Sequence, residues 1–361
     1  MHPMRILALQ LKRIGDLVLT TPALRALRSA WPEAHLALGV SEGCASLLGA
    51  IAPIDSAIVF GRGRGWAPWQ QVLTGPWDIC LDFTGTDRSA LATLLSRAAD
   101  RRTFTWIRRN RLRSLAYGGF VDSPVRDRHT ADHYLDLAGA AISHGRRPAP
   151  ARDGAPDLRL SAAVRTAAEE MLSANGVTGA FAIIHPGTAR PEKFWLADRW
   201  APVAGALATR HGVQTVISTG PDPFERAHAA EIQGMTPGRR PPILLPPDLL
   251  TLAALVERAA VVVSGDTGIV HLAAAFQRPQ VTLYGPTNPF HWRPRHARAA
   301  VISAAQPDAP LTDFQPRMKG APMERISTAV VIHATEGVLT ENSPTSSRTR
   351  SDDDAPGFDR E

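Results

Sequence analysis

Short apolar runs alternate with amphipathic stretches along most of this chain. In the first half ILALQL predicts a strand, LTTPALRALRSAW a helix, HLALGV a strand and the stretch around CASLLGA a helix. SAIVF and DICLDF predict two further strands before another helical stretch. Such alternation predicts a parallel sheet with helices on both faces.

A second series follows: helix AAVRTAAEEMLSA, strand AFAIIHPG, a helix near 198–208, strand VQTVIST, helix PFERAHAAEI, strand PILLP and helix LLTLAALVERA. Strand AVVVSG, helix TGIVHLAAAF and strand QVTLYG close it. Between the series, HGRRPAPARDGAPDLRL (144–160) has no apolar period and predicts a domain boundary. The reading is a first Rossmann-like domain over 1–150, a second over 161–339, and a disordered tail over 340–361, whose ENSPTSSRTRSDDDAPGFDRE is nearly devoid of apolar residues. Two such halves face each other over a cleft, and ligands of these sheets bind at the carboxyl ends of strands.

Length and composition agree with two cores: 361 residues, 44% of them hydrophobic. Two cysteines, Cys44 and Cys80, make no disulfide framework and no metal-ligand spacing, and both read as core residues of a protein in a reducing cytoplasm. No segment reaches membrane-spanning length, and the apolar run near the N-terminus is too short for a signal peptide, so membrane contact is expected to be peripheral.

Charge is unevenly placed. Residues 1–150 carry 19 Lys and Arg against 12 Asp and Glu, whereas 151–361 carry 21 against 22, so the net +6 comes from the first half. Six arginines fall in RRTFTWIRRNRLR, Arg101 to Arg113, which suits a partner bearing phosphates or carboxylates and equally suits a solvated face. No helix-turn-helix, zinc-finger or RNA-recognition signature accompanies them, so nucleic acid is not expected as a partner. Only three of the 40 basic residues are lysines, Lys12, Lys193 and Lys319.

The most informative junction is SGDTGIVHLAAA, where a β run stops and a helix begins. Asp266 or Thr267 can cap that helix, Gly268 admits close backbone approach, His271 lies one turn on, and the helix start offers N–H groups to a phosphate. Strand, cap and helix also occur in every α/β protein. Upstream, a strand runs into the loop Lys12 to Asp16; by residue type Asp16 is a helix N-cap, and as a carboxylate facing a cleft it also suits accepting a proton from a sugar hydroxyl. Neither a Gly-x-Gly-x-x-Gly loop after that strand nor a Walker lysine loop is present, which weakens dinucleotide oxidoreduction and P-loop hydrolysis.

In HPGTARPEKFW, Thr188 offers a hydroxyl and Lys193 a point charge suited to phosphate oxygens. Glu225 sits on the first turns of a helix, where it complements the helix dipole and could bind ribose hydroxyls. Asp248 reads as a plain N-cap, and Pro246 and Pro247 could pack an adenine face. Of Asp78, Asp82 and Asp87, the first two straddle a strand and no histidine cluster accompanies them; all read as strand-end caps, so no metal is expected.

Taken together, the IGDLVLTTPALRALR opening, HPGTARPEKFW and SGDTGIVHLAAAFQRPQVTLYGPTNP resemble the heptosyltransferases of glycosyltransferase family nine, which build the lipopolysaccharide inner core. The resemblance covers most of residues 4–335. It implies a GT-B fold, an ADP-activated heptose donor held mainly by the second domain, and metal-independent inverting transfer without a cofactor. On matching positions it makes Asp16 the base that activates the acceptor hydroxyl. Lys193, Thr188 and the amides of Thr267 and Gly268 neutralise the departing diphosphate. Asp266 and His271 orient donor sugar and phosphate, Glu225 contacts the ribose, and Ala189 offers only its backbone. Lys12, Arg13, Arg101 and Arg108 are the acceptor-side candidates, the acceptor being an anionic glycolipid at the inner membrane surface. The chain departs from the family pattern at Phe194, Trp195 and Leu196, where Trp followed by Pro is commoner, and at Ala189, where some members carry a hydroxyl. Two other readings stand beside this one: a GT-B enzyme using another nucleotide sugar, and a non-catalytic nucleotide-sugar binding protein. A basic nucleic-acid or membrane-surface adaptor is a third.

Overall fold

The computed structural model describes residues 3–146 and 154–340. Near-continuous apolar runs form strands buried on both faces, as a helix-covered parallel sheet requires. The first sheet comprises β1 (Arg5–Gln10), β2 (His35–Ser41), β3 (Ser56–Phe60), β4 (Ile79–Asp82), β5 (Asp100–Phe104) and β6 (Gly119–Val121), in the order β3-β2-β1-β4-β5-β6. The second comprises β7 (Phe181–His185), β8 (Gln214–Ser218), β9 (Ile243–Leu244), β10 (Val261–Gly265), β11 (Gln280–Tyr284) and β12 (Ala299–Ser303), in the order β12-β11-β10-β7-β8-β9. All ladders between these strands are parallel. Each sheet therefore has the same plan, with its first strand beside its fourth, and the strand order reverses there. The crevice outside the carboxyl ends at that reversal is where such sheets take ligands.

Helices α1 (Ile14–Ala30), α2 (Ala67–Thr74), α3 (Asp87–Ser96), α4 (Arg111–Ser114) and α5 (Thr130–His144) belong to the first lobe. The second carries α6 (Ala162–Ala174), α7 (Ala197–His211), α8 (Pro223–Met235), α9 (Leu249–Arg258), α10 (Ile269–Ala275) and α11 (Thr328–Thr340). In α1, Pro22 cannot donate to the carbonyl of Val18, and the hydroxyl of Thr21 donates to it instead at 2.7 Å. The lobes touch through α1 against α10 and through residues 42–50 against α9. One apolar core runs through that contact, with Leu17 and Leu24 of the first lobe joined to Leu255 and Leu272 of the second. His129 Nε2 donates to the carbonyl of Arg293 across the interface at 2.9 Å, while its Nδ1 accepts from the amide of Ala131 and caps α5.

Several expectations change. The stretch around CASLLGA is a 3₁₀ segment, Glu42–Ala50, rather than an α-helix. The second series does not close at β11: β12 and α11 follow, and Thr340, placed in the tail, is the last residue of α11. The remainder of the tail, 341–361, and residues 147–153 of the expected boundary lie outside the described residues. β5 and β6 escaped the hydrophobic pattern because DRRTF and GFV are short and, in the first, arginine-rich. Cys44 and Cys80 are both buried, as their residue type implied.

Candidate functional site

Loops from the two lobes close on one cleft of about 860 Å³. The first lobe contributes the segment after β1, Leu11 to Asp16, with Ser41 and Cys44 after β2. The second contributes Thr188, Ala189, Arg190 and Lys193 after β7, Asp266, Thr267, Gly268 and His271 after β10, and Thr287 and Trp292. The strand ends that carry the site are those where each sheet reverses its order, which is why residues 250 positions apart meet.

Asp16 is not an N-cap. α1 begins two residues earlier, at Ile14, with Arg13 in the cap position and no side-chain cap. Asp16 is the third helical residue, where a carboxylate complements the helix dipole and faces the cleft. Its Oδ1 accepts a 2.7 Å hydrogen bond from the hydroxyl of Tyr134 on α5. Burial, with Asp16 beside it second in effect, pushes the Tyr134 hydroxyl well above its usual range, so it is a fixed donor. Behind it, Thr20 donates to the carbonyl of Asp16 at 2.7 Å and itself accepts from Gln10 Nε2 at 2.8 Å.

Across the cleft, Lys193 Nζ donates to Asp266 Oδ2 at 2.6 Å, and Thr287 donates to the same oxygen at 2.7 Å. Both charged side chains are about nine-tenths buried, at 11% and 12% exposure. Asp266 therefore does not cap α10; neither does Thr267, because Gly268 is the N-cap and no side chain bonds there. Asp266 precedes the cap by two residues, and its Oδ2 is taken by a cation and a hydroxyl. Gly268 lines the cleft and serves packing as well: a Cβ there would meet Ile14 Cβ of the first lobe at 3.3 Å. Gly15 mirrors it, since a Cβ there would lie 2.5 Å from His271 Cδ2.

His271 is 5% exposed, and burial lowers its pKa against the opposing pull of Asp266 and Asp16. Its Nδ1 has no hydrogen-bond partner among the described residues, a state that carries a penalty of about 1–3 kcal/mol unless a ligand relieves it. Of the Lys, Arg and carboxylate side chains lining the cleft, Lys12, Arg13, Arg190 and Lys193 are cations and Asp16 and Asp266 are anions. A site with that balance suits an anionic ligand.

Glu225 stands just behind this wall. Its Oε2 accepts from the amide of Gly220 at 3.1 Å, and a Cβ on Gly187 would lie 2.8 Å from its carboxyl carbon. Burial raises its pKa. It packs against Gly187, next to Thr188 in the chain, and is not among the residues lining the cleft.

Two acceptor-side expectations fail geometrically. Arg101 is the second residue of β5, at the amino edge of the sheet, opposite the cleft. Arg108 follows the carboxyl end but lays its guanidinium over the ring of Phe120, 4.4 Å from its centroid, outside the cleft. Lys12 and Arg13 do line it. The carboxylates around β4 serve as structure: Asp78 accepts from the amide of Arg5 at 2.8 Å, Asp82 accepts from the amides of Thr84 and Gly85 and from Tyr117 Oη, and Asp87 pairs with Arg113. Among the described residues no group of three or more His, Cys, Asp or Glu is placed to hold a metal ion. Asp248 caps α9 as its residue type implied, accepting from the amide of Thr251 at 2.7 Å. Trp195 turns into the core and donates to the carbonyl of Ile326, so the departure at 194–196 bears on packing beside the site.

Sequence reading missed Tyr134, Thr287 and Trp292. Thr287 lay inside a quoted motif, and tyrosine is rare here, with three in the chain, all buried with paired hydroxyls. Rarity combined with burial was the available signal.

A model of glycosyltransferase family 9 (heptosyltransferase) matches residues 66–321. The lipopolysaccharide heptosyltransferase 1 of Salmonella typhimurium is 26% identical over 301 residues, spanning 79% of this chain and 90% of that protein. Among solved structures, the glycosyl transferase family 9 protein of Veillonella parvula aligns with a TM-score of 0.79 at 25% identity, covering 94% of this chain and 99% of that one. The E. coli heptosyltransferase WaaC, solved with ADP-2-deoxy-2-fluoro heptose, aligns with a TM-score of 0.70 at 24% identity, covering 94% and 100%. The paired sheets are the two lobes of the GT-B fold.

Proposed function

This chain belongs to glycosyltransferase family 9 (heptosyltransferase), and we propose that it transfers a heptose from ADP-heptose to a lipopolysaccharide inner-core sugar, with inversion and without a metal, at the cytoplasmic face of the inner membrane. The observation that carries the reading is the single cleft lined by Asp16 from one lobe and by Lys193, Asp266 and the start of α10 from the other. A base and a diphosphate site on opposite walls are what single displacement at an anomeric carbon requires.

In this reading Tyr134 holds Oδ1 of Asp16, leaving Oδ2 to take the proton of the acceptor hydroxyl. The acceptor oxygen so freed attacks the anomeric carbon as the bond to the β-phosphate oxygen breaks, the proton stays on Asp16 and the electron pair leaves on ADP. One displacement inverts the centre. Lys193, Thr188, Arg190 and the amides of Thr267 and Gly268 stabilise the departing charge, while His271, which lines the cleft, orients the donor. Glu225 holds the loop of Thr188 from behind and reaches the ribose only where the donor extends past that loop. ADP as nucleotide is supported by the E. coli relatives crystallised with ADP and with an ADP-heptose analogue.

The test pairs binding with turnover. Asp16→Asn should lower transfer on the order of a hundredfold to ten-thousandfold while ADP affinity by calorimetry stays within about threefold of the parent. A panel of nucleoside diphosphates should show ADP preferred. Binding of none of them, or full activity in Asp16→Asn, ends the proposal.

A further inference from the structure

Beyond the carboxyl end of β5 the chain turns apolar side chains outward. Leu112 and Leu115 are 82% and 74% exposed and Trp106 is 38% exposed. The two leucines are three residues apart on one helical turn and so share a face. Around them Arg108, Arg109 and Arg111 are exposed, while Arg113 neutralises the nearby Asp87 at 2.5 Å. A second protrusion follows β3: Trp66, 77% exposed, beside the exposed Arg62 and Arg64. Glu42 faces this protrusion and pairs with Arg64 at 3.7 Å.

Because the sheet is parallel, β3 and β5 end on the same edge as β1, which delivers Asp16 to the cleft. Four inter-strand steps separate them, roughly 19 Å. Two projections, Trp66 with its arginines and Leu112 and Leu115 with theirs, thus flank the cleft mouth of the first lobe, while Trp106 packs the edge of its ring on Gly85 beneath the second. We propose that this edge docks on an anionic phospholipid bilayer, with Trp66, Leu112 and Leu115 entering the headgroup boundary and the arginines on lipid phosphates. The occupant follows from the chemistry. Aromatic and leucine side chains beside arginine are the composition of an interfacial segment. A protein partner would need a contiguous face of about 800 Å², whereas these side chains stand on two separate loops, one after β3 and one after β5. The inference deepens the proposed function by naming the surface that brings a lipid-borne acceptor to Asp16. Its assay uses neither donor nor turnover, so the two fail separately.

The full chain is sedimented with vesicles of phosphatidylethanolamine and phosphatidylglycerol, and with vesicles of phosphatidylcholine. Binding to the anionic vesicles should be strong and fall as salt rises, with little binding to the zwitterionic ones. Arg108→Gln with Arg109→Gln and Arg111→Gln should weaken anionic binding on the order of a hundredfold. Leu112→Ser with Leu115→Ser should weaken it about tenfold for each leucine and, both side chains being exposed, should keep the fold and the transfer rate to a water-soluble acceptor. Equal binding to the two vesicle types, or no binding, overturns the proposal. So does a leucine variant that binds vesicles like the parent and instead dissociates a dimer in sedimentation equilibrium.

Discussion

Tyr134 and Asp16 lie 118 residues apart and are joined by a 2.7 Å hydrogen bond in which the tyrosine hydroxyl donates to the carboxylate. Tyr134 is 1% exposed and its ring packs edge-on to Phe83, so the hydroxyl has one direction to point. A hydrogen bond to a charged group contributes about 1.5–3 kcal/mol. Tyr134→Phe should therefore lower kcat by about ten- to a hundredfold and leave the donor KM within about twofold, measured by steady-state kinetics. In an Asp16→Asn background the same change should do nothing further. A parallel rise in KM, or an additive loss in the double variant, would show that Tyr134 acts on something other than Asp16.

Gly15 and His271 set how closely the lobes approach. A methyl group at residue 15 would press on the imidazole at 2.5 Å, whereas at Gly268 it would meet Ile14 at 3.3 Å. Gly15→Ala should cost about 1–3 kcal/mol, as overpacking does, and Gly268→Ala less. Thermal melts should rank them in that order, and ADP affinity should fall with Gly15→Ala because the His271 wall moves. Equal melting temperatures for the two variants would contradict the packing argument.

Lys193 and Asp266 are buried together, so removing one strands the other. Lys193→Met should destabilise by about 2 kcal/mol, less than the 3–5 of a fully enclosed pair because the cleft admits water. Adding Asp266→Asn should recover most of that stability in denaturant titration without restoring ADP binding. Recovery of both together would place the pair's role in folding alone.

Buried histidines make the fold acid-sensitive: burial lowers the pKa of His129, His133, His185 and His271. Burial lowers His133 from 6.5 to about 3 and His185 to about 4. Their neutral forms accept neighbours they fit, His133 stacking on Phe104 and His185 bonding Ser218. The unfolded chain takes up protons below pH 6.5 that the native state refuses, so their stability contribution is complete above 6.5 and is lost as pH falls toward 4. Each histidine adds a slope of about 1.4 kcal/mol per pH unit in that window. Urea titrations at pH 7, 6 and 5 should show falling midpoints, and His185→Asn should flatten part of the fall. A midpoint that does not move between pH 7 and 5 excludes this.

The amino-acid order alone determined the architecture and the residue types of the site. Apolar runs of strand length alternating with amphipathic ones have no other economical packing than helix-covered parallel sheets. Strand-to-helix junctions mark ligand sites in such sheets, so Asp16, Lys193 and Asp266 to His271 were legible as local patterns. Partnership was not legible, because it depends on strand order and on how the lobes dock. That is why Asp266 bonds Lys193 instead of capping α10, why Gly268 makes room for Ile14 of the other lobe while lining the cleft, and why Tyr134 holds Asp16. The arginine run showed the same limit: its charge is a property of the sequence, but the fold sets Arg101 at the amino edge of β5 and Arg108 over Phe120, and leaves the cleft to Lys12, Arg13 and Arg190. A hydrophobic period reports which face of an element is buried, and only the assembled structure decides against what.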